Sequence, residues 1–224
     1  MGHAWNIDPA VTALLVIDMQ RDFCSPHGYA ARAGLNVARL SQPIDQIRRL
    51  LFAAREVNML VVHTREGHQP DLSDCSPEKM RRSIRAGAPI GSLGPMGRLL
   101  IRGEHGHDFI DELQPQKGEI VLDKPGYGAF YLTDLEGVLS SRNIHQLILC
   151  GVTTEVCVHS TLREAVDRGY SCITVGDATA ASDPALQAPA LAMIGVEGGI
   201  FGRVINADQV LLALQVTSNQ KAMA

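Results

Sequence analysis

Aromatic residues are scarce in this chain. They make up 4% of its 224 positions and include a single tryptophan. That scarcity argues against a site built to stack a large aromatic ligand. Positive charge is not in excess either: 20 Lys and Arg stand against 24 Asp and Glu, a formal net charge of −4. A nucleic-acid or membrane-surface partner needs a clustered basic patch. The densest basic run, Lys79-Met80-Arg81-Arg82 with Arg85 nearby, reads as the solvated face of a helix. No apolar run approaches the ~20 residues that cross a bilayer. Met1 to Ala10 has no basic stretch followed by an apolar core, so no secretory leader is expected. The five cysteines are odd in number and form no Cys-x-x-Cys pair, which fits reduced thiols in the cytoplasm rather than a disulfide framework or a structural zinc site. There is no internal repeat, no low-complexity linker, and no Gly-x-Gly-x-x-Gly after the first apolar run to support dinucleotide binding.

What is present is an ordinary globular composition, 46% hydrophobic and 20% charged. It suits one domain over residues 1–224, with its core about 10–215. Short β-branched runs alternate with amphipathic stretches. The expected strands are Ala13–Ile17, Met59–His63, Glu119–Asp123, Gln146–Cys150, Cys172–Val175 and Arg203–Ile205. Helices are expected over Leu40–Val57, from a Thr133–Glu136 capping box to about Ser141, over Thr154–Arg168, after Asp183-Pro184, and over Ala207–Leu214. The Gly-, Pro- and Ser-rich stretch from Arg65 to about Glu104 reads as a long loop over the active face with little regular structure, and the tail after Val216 as frayed. Alternating strands and helices imply a three-layer α/β/α fold around a mainly parallel, Rossmann-like sheet. Ligands of such sheets bind beyond the carboxyl ends of the strands. Asp18, Glu66, Lys124 and the Thr153–Cys157 segment all fall there.

Cys157 is the strongest candidate nucleophile. With Thr154 as N-cap it is the third helical residue, close to unpaired N–H groups and the positive end of the helix dipole, and both favour a thiolate. A small core cysteine is the alternative. Asp18 ends a buried strand, where a carboxylate needs a partner, although a helix cap would also suit it. Lys124 beside Asp18 would hold that carboxylate and stabilise negative charge near sulfur.

Three runs carry a resemblance. Val16-Ile17-Asp18-Met19-Gln20-Arg21-Asp22-Phe23, Asp123-Lys124-Pro125-Gly126-Tyr127-Gly128-Ala129-Phe130 and Cys150-Gly151-Val152-Thr153-Thr154-Glu155-Val156-Cys157-Val158 resemble, in order and spacing, the motifs of the isochorismatase-like cysteine hydrolases. The resemblance covers about residues 10 to 215 and implies the catalytic triad Asp18, Lys124 and Cys157. It also implies a cis peptide at Val152–Thr153 and an oxyanion hole from the Thr153 and Cys157 N–H groups.

Within that family, the presence of Cys157 argues against the vinyl-ether-cleaving siderophore branch. Glu66 and His68 only loosely match the metal-binding pair of nicotinamidases, and no later His stands in Gln69 to Ser76, so no metal and no cofactor is expected. His63-Thr64-Arg65-Glu66-Gly67-His68, Glu104-His105-Gly106 and Glu197-Gly198-Gly199-Ile200-Phe201-Gly202 look most like biuret amidohydrolase and its relatives. The resemblance implies a cysteine amidohydrolase that cleaves a small ureido or amide compound, biuret- or triuret-like, through a thioester with release of ammonia. Ureidoacrylate, N-carbamoylsarcosine, maleamate and nicotinamide types are alternatives, as is a non-catalytic Rossmann-like binding domain. Substrate-binding candidates are Glu197 as an acceptor for substrate N–H groups, with Phe23 and Tyr127 as pocket walls. A homo-oligomer, dimer or tetramer, is expected, and the apolar residues Val210, Leu211, Leu212 and Leu214 serve either an interface or the core.

Overall fold

The computed structural model describes residues 7–222, with side chains to Gln215. The sequence reading of Met1 to Ala10 therefore lies partly outside the described residues. In chain order the elements are β1 (Thr12–Ile17), α1 (Arg21–Cys24), α2 (Tyr29–Arg32), α3 (Val37–Leu40), α4 (Ile44–Glu56), β2 (Leu60–Glu66) and α5 (Pro77–Arg85). There follow β3 (Leu93–Gly94), β4 (Gly97–Arg98), β5 (Ile120–Lys124), α6 (Leu135–Ser140), β6 (Gln146–Val152), α7 (His159–Asp167), β7 (Ser171–Ala180), α8 (Pro184–Ile194), β8 (Arg203–Ile205) and α9 (Ala207–Ala222). Six strands form one parallel sheet in the order β5-β2-β1-β6-β7-β8. The chain winds outward from β1 to β5, returns beside β1 with β6, and winds outward again. The strand order therefore reverses between β1 and β6, where such sheets open a crevice.

All six residues of β1 are buried, as expected of a central parallel strand covered on both faces. Side-chain parity sorts its faces. Leu14 and Val16 pack with Ile47, Leu50 and Leu51 of α4 and Val210 and Leu214 of α9. Ala13, Leu15 and Ile17 pack with Leu135 and Leu139 of α6 and Leu162 and Ala165 of α7. Each such aliphatic side chain contributes about 1.5–3 kcal/mol by leaving water. The expected three-layer α/β/α architecture is what forms. Among the described residues no helix is long and apolar enough to cross a membrane.

Several local expectations need correction. The Leu40–Val57 helix is two pieces, because Ser41-Gln42-Pro43 separates α3 from α4. The Arg65–Glu104 stretch is not merely irregular: it contains α5, opened by Ser76, whose side chain accepts from the Lys79 N–H at 3.2 Å, with Pro77 in the first turn. Helix α6 starts at Leu135 after Asp134, and Thr133 bonds Leu135 N and Ala129 O instead of forming a capping box. Helix α9 continues to Ala222, past the frayed tail expected after Val216. Its apolar residues divide: Val210 and Leu214 are core, while Leu212 is exposed.

At the amino ends of β2 and β5, Glu119 closes a polar cluster with Arg55, in a two-point pair at 2.7 and 3.0 Å, and with buried His63 at 3.0 Å. Burial pushes the Glu119 carboxyl up, but its bonds to His63, Arg55 and the Gln116 N–H outweigh this and bring it down to about 2. A depressed carboxyl adds stability that is complete above its unfolded value near 4.5 and is lost as pH falls toward 2. Solvent screening holds this to about 1–2 kcal/mol. Glu119→Gln should therefore destabilise the protein by that amount at pH 7 in urea titrations, with the difference shrinking toward pH 3. A constant difference between those pH values would rule out the charged pair as its source.

Candidate active site

Four strand ends converge on one crevice. Asp18 follows β1, Glu66 ends β2, Lys124 ends β5, and Thr153 follows β6. Gly151 lets β6 run close against β1: it has φ +112°, and a Cβ there would lie 2.0 Å from the Ile17 carbonyl oxygen. The Val152–Thr153 peptide is cis. The chain then makes a π-helical turn, Thr154–Val158, before α7 begins. Thr153, not Thr154, is thus the N-cap, and Cys157 is the fourth residue of that turn rather than the third of an α-helix.

Asp18 is fully buried, with φ 52°, a left-handed conformation rare for a residue with a side chain. Its N–H reaches the Thr64 carbonyl at 3.1 Å, and Oδ1 accepts from Thr64 Oγ1 at 2.6 Å. Oδ2 pairs with Lys124 Nζ at 2.7 Å. The Lys124 ammonium also donates to the carbonyls of Gly126 at 3.0 Å and Tyr127 at 2.9 Å. The Pro125-Gly126-Tyr127-Gly128 loop therefore curls back to cap the lysine, which uses all three donors. A Cβ at Gly128 would run into the Glu164 carboxylate, so the loop and that side chain pack closely there.

The Cys157 sulfur is 3.4 Å from Glu66 Oε2, and ligand atoms of Asp18, Glu66 and Cys157 all lie within 4.8 Å of one another. Glu66 Oε1 pairs with Lys79 Nζ at 2.6 Å, and Oε2 lies 4.0 Å from Lys124 Nζ. The Glu66 backbone is pinned by the Gln20 amide, which accepts from the Glu66 N–H at 2.7 Å and donates to the Glu66 carbonyl at 3.0 Å. Two carboxylates and two ammonium groups balance, so the cluster is neutral while the thiol keeps its proton.

Burial is the main force on the titrating groups. It raises the Cys157 thiol well above its ordinary value; Asp18 and Glu66 raise it further and Lys124 opposes them. The expected resting thiolate is thus corrected: desolvation and two adjacent carboxylates outweigh the helix end. Burial also raises Asp18, against the pull of Lys124. At Glu66 the same burial is outweighed by Lys79 and Lys124, which hold the carboxyl low. Lys124 moves up, because Asp18, Cys157 and Glu66 together overcome its desolvation. A proton passing from sulfur to Asp18 leaves the net charge of the cluster unchanged, so the site can form a nucleophile without importing charge into a dry interior.

The other sequence candidates fall as follows. Phe23 is buried, edge-on to Tyr29 at 6.0 Å, and Tyr127 lies with its ring centroid 4.9 Å from Lys79 Nζ. Glu197 does not join the cluster. It is exposed in a turn with φ 51°, and the adjacent Gly198 and Gly199 border Gln146, Ser171 and Cys172, at the amino ends of β6 and β7. Its flanking glycines serve a turn at the opposite end of the sheet. His68 Nδ1 is engaged with Asp74 at 3.1 Å. Sequence reasoning missed Thr64, Gln20 and, above all, Lys79. The signal for Lys79 was available in Ser76-Pro77-Glu78, a helix start that places it one turn in. A hollow of about 850 Å³ between α4 and α9, lined by Phe52, Leu211 and Leu214, holds none of this chemistry.

Residues 12–209 match the isochorismatase domain family. The chain is 34% identical over 218 residues to the ureidoacrylate amidohydrolase RutB of Serratia proteamaculans (strain 568), covering 96% of this chain and 87% of the relative. Its structure is similar to that of a cysteine hydrolase from Pseudomonas syringae pv. phaseolicola 1448A, with a TM-score of 0.80, 30% identity, and 95% and 96% of the two chains covered. It is also similar to N-carbamoylsarcosine amidase from Thermoplasma acidophilum, with a TM-score of 0.68, 27% identity, and 88% and 96% coverage.

Proposed function

The chain belongs to the isochorismatase family of hydrolases, and from that membership we propose that it is a cysteine amidohydrolase acting on a small ureido compound, with Cys157 as nucleophile, Asp18 as proton carrier and Lys124 as the cation that holds Asp18. One observation carries this reading: at the point where the strand order reverses, a carboxylate and a lysine from two strand ends and a buried thiol from the turn after a third strand form one charge-balanced group.

The chemistry follows from the arrangement. Asp18 takes the proton from Cys157 as sulfur attacks the carbonyl carbon. The resulting oxyanion accepts N–H bonds from Thr153 and Cys157. Asp18 returns its proton to the departing nitrogen, the C–N bond breaks, and ammonia or an amine leaves a thioester. Asp18 then deprotonates water, which attacks the thioester; the proton goes to sulfur and restores the thiol. Lys124 stays protonated throughout and keeps the aspartate from sharing its charge with solvent.

The substrate class rests on two supports. Carboxylates crowd the sulfur, which suits a neutral molecule rich in N–H donors such as biuret or triuret. The relatives named for ureidoacrylate and N-carbamoylsarcosine also act on compounds that carry a terminal ureido group. An ammonia-release screen over biuret, triuret, ureidoacrylate, N-carbamoylsarcosine, maleamate and nicotinamide should give a ureido compound the highest kcat/KM, about 100-fold above nicotinamide. Preference for nicotinamide, or no release from any ureido compound, would overturn the reading.

A further inference from the structure

The Cys157 sulfur has two carboxylates beside it, and the reaction needs only one proton carrier. Asp18 and Glu66 are held differently. Asp18 shares Lys124 with two backbone carbonyls and takes a hydrogen bond from Thr64. Glu66 has an ammonium of its own, Lys79, on Oε1 at 2.6 Å, which leaves Oε2 facing sulfur at 3.4 Å. Its backbone is fixed on both sides by Gln20, so the carboxylate cannot drift from the reacting centre.

Lys79 is placed with equal care. It is the third residue of α5, and it donates to the Pro125 carbonyl at 2.5 Å while lying against the Tyr127 ring. It thus ties α5 to the loop that caps Lys124. Its neighbours in the basic run behave as a solvated face should: Arg81, Arg82 and Arg85 are exposed and gather on Glu78. Of the basic residues in that run, only Lys79 turns inward and is buried. Removing an ammonium from water is costly unless its partners repay it, so solubility does not account for this one.

The geometry points to a division of labour: Glu66 is the acceptor that orients substrate N–H groups beside Cys157, and Lys79 is its positioning residue. Together they select substrates that present N–H donors there and disfavour those that present a carboxylate. The inference rests on the amidohydrolase reading above. A carboxylate kept ionised by a dedicated cation is a poor proton carrier but a strong acceptor. The opposite directions of the Asp18 and Glu66 shifts agree with that division. A ureido group would satisfy Glu66 with its N–H groups, whereas a carboxylate placed at that point would meet a second negative charge.

The test is steady-state ammonia release from biuret, or from ureidoacrylate if the wild type turns that over faster, with maleamate, an amide that lacks the ureido group, as the comparison. Glu66→Gln, Lys79→Met and Lys79→Arg are compared with wild type, and each is checked by thermal unfolding. Glu66→Gln is expected to raise KM for the ureido substrate roughly 10- to 100-fold with a much smaller change in kcat. The ratio of its kcat/KM to that of maleamate should fall about tenfold. Lys79→Met should move KM in the same direction, and Lys79→Arg should recover most of the loss. If Lys79→Met does not fold, Glu66→Gln and Lys79→Arg still decide the matter. Unchanged KM and unchanged discrimination in a folded Glu66→Gln protein, with the wild type active, would remove the Glu66–Lys79 assignment alone. A wild type that releases ammonia from neither ureido probe would bring down the amidohydrolase reading and this inference with it.

Discussion

Cys157→Ser is expected to lower kcat by roughly 10⁴- to 10⁶-fold while the protein stays folded, because nucleophile and proton carrier act as a unit and losing either removes the covalent route. The reason lies in the resting state. The thiol is already hard to deprotonate here, since burial and two carboxylates raise it, and in the proposed reaction its proton passes to Asp18, whose carboxylate lies within 4.8 Å. A serine hydroxyl holds its proton more tightly still, and Asp18, though raised by burial, does not become basic enough to take it. Serine is close to cysteine in size and can donate to the same Glu66 oxygen, so stability should change by no more than about 1–2 kcal/mol. Ammonia release and thermal unfolding measured on the same preparation separate the two effects. A folded serine variant that keeps even about one per cent of wild-type kcat would show that the reaction does not pass through sulfur.

The convergence of Asp18, Lys124 and Cys157 was legible from sequence because Asp18 and Lys124 stand at strand ends and Cys157 lies in the turn that follows β6. β1, β5 and β6 are recognisable from their apolar runs, and a polar residue just past such a run in a parallel sheet has few roles other than capping or chemistry. Lys79 was harder to see. It lies in a basic run whose other members are surface residues, and periodicity does not reveal that one of them turns inward to reach Glu66, on a different element. Glu66 was legible as a strand end, yet its sequence pattern resembled a weakened metal site, and the ammonium partner that defines its charge comes from α5. Glu197 failed for a physical reason: Gly198 and Gly199 allow positive φ, which a turn needs as much as a ligand loop does. The register of β7 against β8 puts that turn at the wrong end of the sheet. The π-helical turn at Cys157 has no composition signal of its own, since Thr154–Val158 reads equally well as the first turn of an α-helix.

Lys124→Met should cost about 3–5 kcal/mol of stability and lower kcat by roughly 10³-fold or more. Methionine fills most of the volume but leaves Asp18 ionised, fully buried and without its cation, beside a second carboxylate. Asp18 answers by holding a proton more tightly, and at neutral pH it then no longer serves as base. Two pH effects follow, of opposite origin. In the wild type the raised Lys124 contributes stability that is complete below the ordinary lysine value near 10.5 and is lost only as pH rises past it. In Lys124→Met the raised Asp18 carboxyl is penalised when ionised, so the variant should gain relative stability as pH falls from 8 toward 5. The double variant Lys124→Met/Asp18→Asn removes both charges together. It should regain at least about 2 kcal/mol of what the lysine variant alone loses, yet stay inactive. Urea titrations of the wild type, Lys124→Met, Asp18→Asn and the double variant complete the cycle. Additive losses would mean that Lys124 stabilises the fold through the Gly126 and Tyr127 carbonyls rather than through Asp18, and the charge-balanced cluster on which the proton transfer depends would not be what holds this site together.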